Sequence, residues 1–321
     1  MVESIYLSDY LASNYNLKLK KYSLIPHSNI DSKNFLIDTN DGYFVLKKFS
    51  NIHPTKKIER VCEVLSYLIK NNIPVVEPIK NSKKRFVDKN NRYFLTKFYS
   101  GKLSKGKMSE LKNTSKSIAQ MHNILKKCPI KYNFNTQRNQ FKILTINELK
   151  NIFYSLKNKK TFDTYDNLLI KNKIFIEKQL KHQEKVFKSL PIINKQLIHN
   201  DLHPSNILFS GDKVKVILDF NSLKKGFFIE DLCFGAFRFA FLSYKNSNDL
   251  TSKINVFCET YFKNSNLNYD SSVNISYYLN QTILERISFI LREKYSANSN
   301  SWLPDLPKFL NYLKIINKCS F

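Results

Sequence analysis

Hydrophobic positions recur along this chain with two periods, and the period changes where the predicted elements change. Over residues 1–20, Ile5, Leu7, Tyr10, Leu11, Tyr15 and Leu17 fall at helical spacing. From Tyr22 to Phe49 the alternation tightens to two. That predicts strands in YSLIP, KNFLID and YFVLKKF, with Asn40-Asp41-Gly42 as the hairpin turn between the last two. After Pro54 a helix is predicted over 55–70, with Ile58, Val61, Cys62, Leu65, Leu68 and Ile69 on its apolar face. Strands are expected at 75–80, 84–88 and 92–99, then a helix at 109–126. A Lys- and Asn-rich stretch, 131–195, holds predicted helices at 145–157 and 165–190. Next comes a hairpin: Ile207 to Phe209, a turn at Ser210-Gly211-Asp212, and a partner strand from Lys213 to Phe220. An apolar helix interrupted by Arg238 follows Asp231, and further helices are predicted at about 250–264, 271–294 and 305–318.

The densest chemistry lies in and around that hairpin. Asp201 and Asn206 precede its first strand, and Asp219 ends its second. A hairpin returns the chain to its starting point, so Asn206 and Asp219 come together. Phosphoryl transfer needs a carboxylate to take the hydroxyl proton and oxygen ligands to hold magnesium on the nucleotide phosphates. Asp201 can be the first, and Asn206 with Asp219 the second. His199 and His203 bracket Asp201 and suggest a zinc trio instead. Pro204 argues against the helix that such spacing requires.

His199 to Asn206 reads H-N-D-L-H-P-S-N and is followed by I-L-D-F and then E-D-L. This series resembles the aminoglycoside phosphotransferase and choline kinase superfamily, small-molecule kinases with a protein-kinase-like fold. The match is specific over 197–235 and traceable from about 42 to 125. The resemblance implies an α+β, two-lobed fold: a small β-rich lobe over 1–99 that binds nucleotide, and a larger helical lobe over 100–321 with the catalytic and acceptor sites. It implies ATP and Mg2+ as cofactors, Asp201 as catalytic base, Asn206 and Asp219 as metal ligands, and Asp231 as the holder of the loop's backbone amides. His203 stands where protein kinases carry a lysine and is assigned to the cofactor. Asn200 stands where most members write glycine.

The resemblance extends to the first lobe. The strand ending in Lys47-Lys48 is similar to the one that carries the ATP-phosphate lysine. Alternation puts Lys47 on a face with Tyr43 and Val45, which favours Lys47 over Lys48. The partner glutamate of the following helix is displaced: Val61 occupies its register, leaving Glu59 or Glu63 to serve. The turn at 27–32 takes the place of a phosphate-covering loop, lacks glycine, and offers Ser28. In the YFLTKFYSG segment, the Lys97 carbonyl and Tyr99 N–H are expected to meet adenine, and Gly101 to let the chain turn. His122 is expected to pack near the catalytic loop. On the late helix, solvation is the default reading of Glu285, Arg286, Arg292 and Glu293, with acceptor contact as the alternative.

Composition narrows the partners. The 321 residues suffice for about two domains. Net charge is +26, carried by 52 basic residues of which only seven are arginine. Arginine is the residue favoured for bidentate phosphate and base contacts, so nucleic acid is not the expected partner. A polycationic acceptor is also disfavoured. No apolar run reaches the roughly 18 residues of a membrane span, and five cysteines without a pairing pattern fit a reducing cytoplasm. The expected activity is transfer of the ATP γ-phosphate to a hydroxyl of a small metabolite, a sugar or amino sugar. The alternatives are choline-, ethanolamine- or homoserine-directed activity, or a pseudokinase.

Overall fold

In a computed structural model, residues 2–26, 32–50, 54–90, 92–131, 133–134, 142–188, 194–266 and 275–319 are described. One antiparallel sheet dominates the first third. β1 (Leu19–Leu24), β2 (Ser32–Thr39), β3 (Gly42–Phe49) and β6 (Tyr93–Lys97) lie side by side. β4 (Pro78–Ile79) and β5 (Val87–Asp88) both pair with β6. Thr39 faces Gly42 in the β2–β3 register, so Asn40 and Asp41 form the expected two-residue turn. Gly42 has φ +106°, a conformation that side chains resist. The expected strand 75–80 shrinks to two residues, since Pro78 has no N–H to give a ladder, and 84–88 begins only at Val87, since Lys84 takes φ +58°. The segment before β4 turns elsewhere: Ile217 N donates to Pro74 O at 2.8 Å, and Val76 N to Ile217 O at 3.1 Å.

α1 (Val2–Tyr15) covers the sheet through Leu7 and Leu11, which pack with Phe35, Ile37, Leu46 and Leu95. It ends earlier than residue 20. Asn16 takes φ +55°, a left-handed conformation in which asparagine is the tolerated non-glycine residue, and β1 starts at Leu19. α2 (Thr55–Lys70) belongs to two cores. Ile58 and Cys62 pack with Phe49, Phe94 and Val87, while Val61, Val64, Leu65 and Leu68 join the main core. A helix shared in this way fixes the sheet against the rest.

The remainder is mostly helical. α3 (Met108–Leu125), α6 (Phe228–Ala240), α7 (Ser247–Asn264), α8 (Ile275–Ser296) and α9 (Leu306–Ile316) enclose the main core, with Ile118, Leu232, Phe257, Ile283 and Leu310 fully or almost fully buried. Each such side chain stabilises by roughly 1.5–3 kcal/mol. α4 (Ile146–Lys157) and α5 (Thr164–Phe187) pack beside α8. Buried Asp166 of α5 is held by Lys159, by Lys294 at 3.0 Å and by the Tyr295 hydroxyl at 2.7 Å.

Two short sheets connect these halves. β7 (Gln196–Ile198) pairs with β10 (Lys224–Gly226), and β8 (Ile207–Ser210) with β9 (Lys213–Ile217). Lys102 exchanges hydrogen bonds of 3.0 and 2.8 Å with Phe209. A Cβ on Gly101 would stand 2.8 Å from Leu208 Cβ and 3.2 Å from Phe209 O. Glycine is therefore required at 101 for close approach of two chain segments, and not for the turn expected from the sequence. Among the described residues, no helix is long and apolar enough to cross a membrane. This is a strand-rich sheet followed by a helical body, the α+β, protein-kinase-like arrangement expected.

Candidate active site

The loop after β7 is held from below by one buried carboxylate. Asp231, in the first turn of α6 and 1% exposed, accepts the His199 N–H and the Asn200 N–H, both at 2.7 Å. It also lies 3.0 Å from His122 Nε2. A carboxylate only accepts, so in the neutral ring Nε2 is the donor and Nδ1, 2.7 Å from the Tyr261 hydroxyl, accepts. Negative charge in the first turn of a helix is also favoured by the helix dipole. Asn200 has φ +64°. The backbone there demands glycine or a tolerant substitute, which is the physical reason asparagine stands at that position.

His199 serves the loop and not a metal. Its Nε2 meets the Leu218 carbonyl at 2.8 Å, and its Nδ1 accepts the Asp201 N–H at 3.2 Å. Both ring nitrogens are used, which removes the zinc trio. Asp201 projects its carboxylate beside His203, with Nε2 to Oδ2 at 3.6 Å, an ion-pair separation longer than a hydrogen bond. Burial alone would raise the Asp201 carboxyl. The adjacent His203, helped by His199 and by the Arg286 charge, outweighs burial and holds it below the ordinary carboxylate value.

Asn206 is nearly buried, and its Nδ2 donates to Asp201 at both O (3.0 Å) and Oδ2 (3.3 Å). With the amide nitrogen so committed, Oδ1 accepts no hydrogen bond among the described residues. Leu218 N donates to Asn206 O at 2.8 Å, so the hairpin seats Asp219 next to Asn206. Asp219 has φ +56°, which turns it out of the line of β9. It accepts Lys47 Nζ at 3.0 Å from across the molecule. Burial raises the Asp219 carboxyl, but the Lys47 charge and hydrogen bond prevail and hold it low, while nearby Asp201 opposes them.

Two lysines adjacent in sequence thus part company: Lys47 reaches Asp219, and Lys48 lies over the Tyr93 ring, 5.4 Å from its centroid. Neither glutamate reaches Lys47. Glu59 accepts the backbone N–H groups of Phe86 (3.1 Å) and Val87 (2.9 Å), and Glu63 pairs with Arg60. The reason is the register of α2: Val61 and Cys62 face inward, so both acids point elsewhere. Lys97 ends β6 with its N–H on the Glu77 carbonyl at 2.9 Å, and the Tyr99 N–H has no hydrogen-bond partner among the described residues. Ser28 lies outside the described residues.

A second group of charges lies within electrostatic reach of Asp201. Arg238 of α6 and Arg286 of α8 are half-buried, with guanidinium carbons 5.8 and 5.1 Å from the centroid of the Phe234 ring. Arg238 was read from the sequence only as an interruption of an apolar helix. The usable signal was a full charge inside FGAFRFAF. Arg286 is not the solvated helix charge taken as the default. Arg292 is structural: it pairs with Glu148 at 3.0 Å and also donates to the carbonyls of Lys142 and Ile143.

Comparison with known proteins agrees with this geometry. By sequence, no curated protein matches the chain. Solved structures do. Amicoumacin kinase hAmiN, in complex with AMP-PNP, Ca2+ and Ami, has a TM-score of 0.68 at 14% identity, over 99% of this chain and 94% of that one. Spectinomycin phosphotransferase with ADP and its antibiotic has 0.66 at 16%, over 98% and 96%. Choline kinase LicA from Streptococcus pneumoniae has 0.60 at 14%, over 98% and 99%. The sequence pattern of one family covers residues 23–243, a span that includes Lys47, Asp201, Asn206 and Asp219, and the chain belongs to that phosphotransferase enzyme family.

Proposed function

We propose that this protein transfers the γ-phosphate of ATP to a hydroxyl of a small metabolite, a sugar skeleton being favoured. The observation that carries the reading is the convergence of four residues from distant parts of the chain: Lys47 on Asp219 at 3.0 Å, and Asn206 on Asp201 at 3.0 and 3.3 Å. Similar structures that hold AMP-PNP or ADP support the nucleotide.

In this reading Asp201 takes the proton of the acceptor hydroxyl. The new bond joins that oxygen to the γ-phosphorus, the bond from the γ-phosphorus to the bridging oxygen breaks, and ADP leaves with the electron pair. Because positive neighbours hold the Asp201 carboxyl low, it is ionised at neutral pH and ready to accept. Asn206 Oδ1 and the Asp219 carboxylate fit a hard cation, since both are oxygen donors on a fixed hairpin. They would hold Mg2+, which when bound offsets charge on the phosphates. Lys47 contacts the phosphates and, in the resting protein, is held ready by Asp219. Ser28 belongs to the covering loop, the Lys97 carbonyl and Tyr99 N–H meet adenine, and His203 orients the nucleotide side of Asp201. The nucleotide lobe is residues 1–99, and the acceptor lobe residues 100–321. We assign the enzyme to the cytoplasm.

The test is ATP consumption with magnesium across a panel of sugars, amino alcohols and hydroxy acids, beside calorimetry of ATP binding. Magnesium-dependent binding with acceptor-stimulated turnover is expected. Binding that EDTA leaves unchanged would contradict the metal assignment, and binding without turnover on any acceptor would favour a pseudokinase.

A further inference from the structure

We propose that Asn34 of β2 positions Lys47 on the nucleotide phosphates, its side-chain carbonyl taking the place of the glutamate that α2 does not supply. The inference rests on the phosphotransfer reading above and adds a residue to that same site.

The strand register comes first. Asn34 stands opposite Lys47 in the β2–β3 pair, and Leu36 opposite Val45. Side chains of directly opposite residues leave a sheet on the same side, with Cβ atoms roughly 4.5–5.5 Å apart. The other side carries Phe35, Ile37 and Leu46, which pack with Leu7 and Leu11 of α1. Asn34 therefore shares with Lys47 the side away from α1, the side from which Lys47 reaches Asp219. The flexible four-carbon stem of a lysine lets Nζ swing to an acceptor on the neighbouring strand without backbone movement.

Hydrogen bonding comes next. The Asn34 Oδ1 atom is buried and has no hydrogen-bond partner among the described residues. A buried carbonyl left without a donor is costly, and such atoms are uncommon. Its cross-strand neighbour is a donor with capacity to spare: an ammonium has three N–H bonds, and Lys47 directs one at Asp219.

The helix flank of Lys47 offers no carboxylate. Val61 and Cys62 face inward on α2, Glu59 is taken by the Phe86 and Val87 amides, and Glu63 by Arg60. Phe94, opposite Lys47 on β6, belongs to one apolar cluster with Ile58 and Cys62.

Asp219 has two duties in the phosphotransfer reading. At rest it accepts from Lys47, and with nucleotide bound it is a ligand of the cation. A carboxylate turned to a cation attracts Lys47 less, and the cation repels the ammonium. Lys47 then needs an acceptor on another side, and Asn34 Oδ1 supplies it. A carbonyl directs the ammonium without cancelling its charge, which stays available to the phosphates.

The experiment compares Asn34→Leu, which removes the carbonyl at similar volume, with Asn34→Asp, which keeps an acceptor. Lys47→Ala and the double variant Asn34→Leu/Lys47→Ala complete the cycle. Calorimetry measures AMP-PNP affinity with magnesium, and urea denaturation measures stability without nucleotide. We expect Asn34→Leu to be no less stable than the parent, because its carbonyl is unpartnered at rest. It should bind magnesium-AMP-PNP roughly tenfold to a hundredfold more weakly, the loss of a hydrogen bond to a charged group. Asn34→Asp should recover most of that affinity. In the Lys47→Ala background the leucine should cost less than about threefold, since the group it would fail to hold is gone. An affinity unmoved in Asn34→Leu would overturn the proposal. So would a loss of the same size in the Lys47→Ala background, which would make Asn34 a direct nucleotide contact. A destabilised Asn34→Leu would overturn it too, by revealing a partner for the carbonyl at rest. A parent that binds no magnesium nucleotide would remove the phosphotransfer reading and this role with it, whereas normal parent binding with additive variants removes the role alone.

Discussion

On one side of Asp201 the charges meet in close ion pairs and hydrogen bonds within the hairpin and its neighbours, and on the other two arginines from separate helices stack on one ring. Toward the hairpin, Asp219 faces Lys47, Asp201 faces His203, and Asp231 holds two backbone amides and a histidine. Toward α8, Arg238 and Arg286 share a phenyl ring. The difference teaches how the two halves of a transferase are built. A group common to every turnover can be met by a preformed, internally satisfied set. The arginine end is instead assembled by the packing of α6 on α8, which brings two like charges onto one phenyl ring.

The largest expected effect comes from breaking the satisfied side. Asp231→Ala strands the N–H groups of His199 and Asn200 and the ring of His122 in a buried site. Urea denaturation should show a loss of about 3–5 kcal/mol. A loss under about 1 kcal/mol would mean that the loop is held by something else.

The next effect belongs to the arginine side and is a pH dependence. In the folded chain Glu285 titrates near 7, above its ordinary value of 4.5. The folded protein therefore binds the proton more tightly than the unfolded chain. The stability from this group is complete below about 4.5 and is lost as pH rises toward and through 7. For a half-buried residue the change is on the order of 1–2 kcal/mol. Thermal unfolding between pH 5 and 8 should show it, and Glu285→Gln should flatten the profile. An unchanged slope in that variant would assign the dependence to other groups.

The smallest effect concerns the loop backbone. Asn200→Gly should stay within about 0.5 kcal/mol of the parent, whereas Asn200→Val, forced to φ +64°, should cost about 1–2 kcal/mol. Equal stability of the two variants would contradict the left-handed conformation.

The paired side was readable because its parts are local. Asn206 and Asp219 flank a hairpin whose turn residues declare it, and strand alternation favoured Lys47 over Lys48. What escaped depended on register or on distant packing. Glu59 and Glu63 stand four residues apart, only about 40° round α2, so spacing cannot choose between them as partner of Lys47. The answer, neither, required knowing that Phe86 and Val87 offer their amides to Glu59. The end of α1 was hidden because Tyr15 and Leu17 continue a helical apolar pattern, although Asn16 between them leaves the helical backbone. Gly101 was correctly marked as special but for the wrong reason, since its neighbour Leu208 is far away in sequence. The arginine pair needs α6 and α8 side by side, and nothing in the spacing of either helix announces the other.

The central claim is that Asp201 takes the proton while Asp219 holds the metal, and the two conservative variants must therefore differ in kind. Asp201→Asn keeps the shape and removes the basicity. It should lower turnover about 10²- to 10⁴-fold with magnesium-ATP affinity nearly unchanged. Asp219→Asn removes a metal ligand and the partner of Lys47, and should weaken magnesium-dependent ATP binding as well. The deciding measurement is calorimetric magnesium-ATP affinity beside turnover for both variants. Intact binding with lost turnover in Asp201→Asn alone is the predicted result. Full turnover in Asp201→Asn, or identical binding losses in the two variants, would contradict the account.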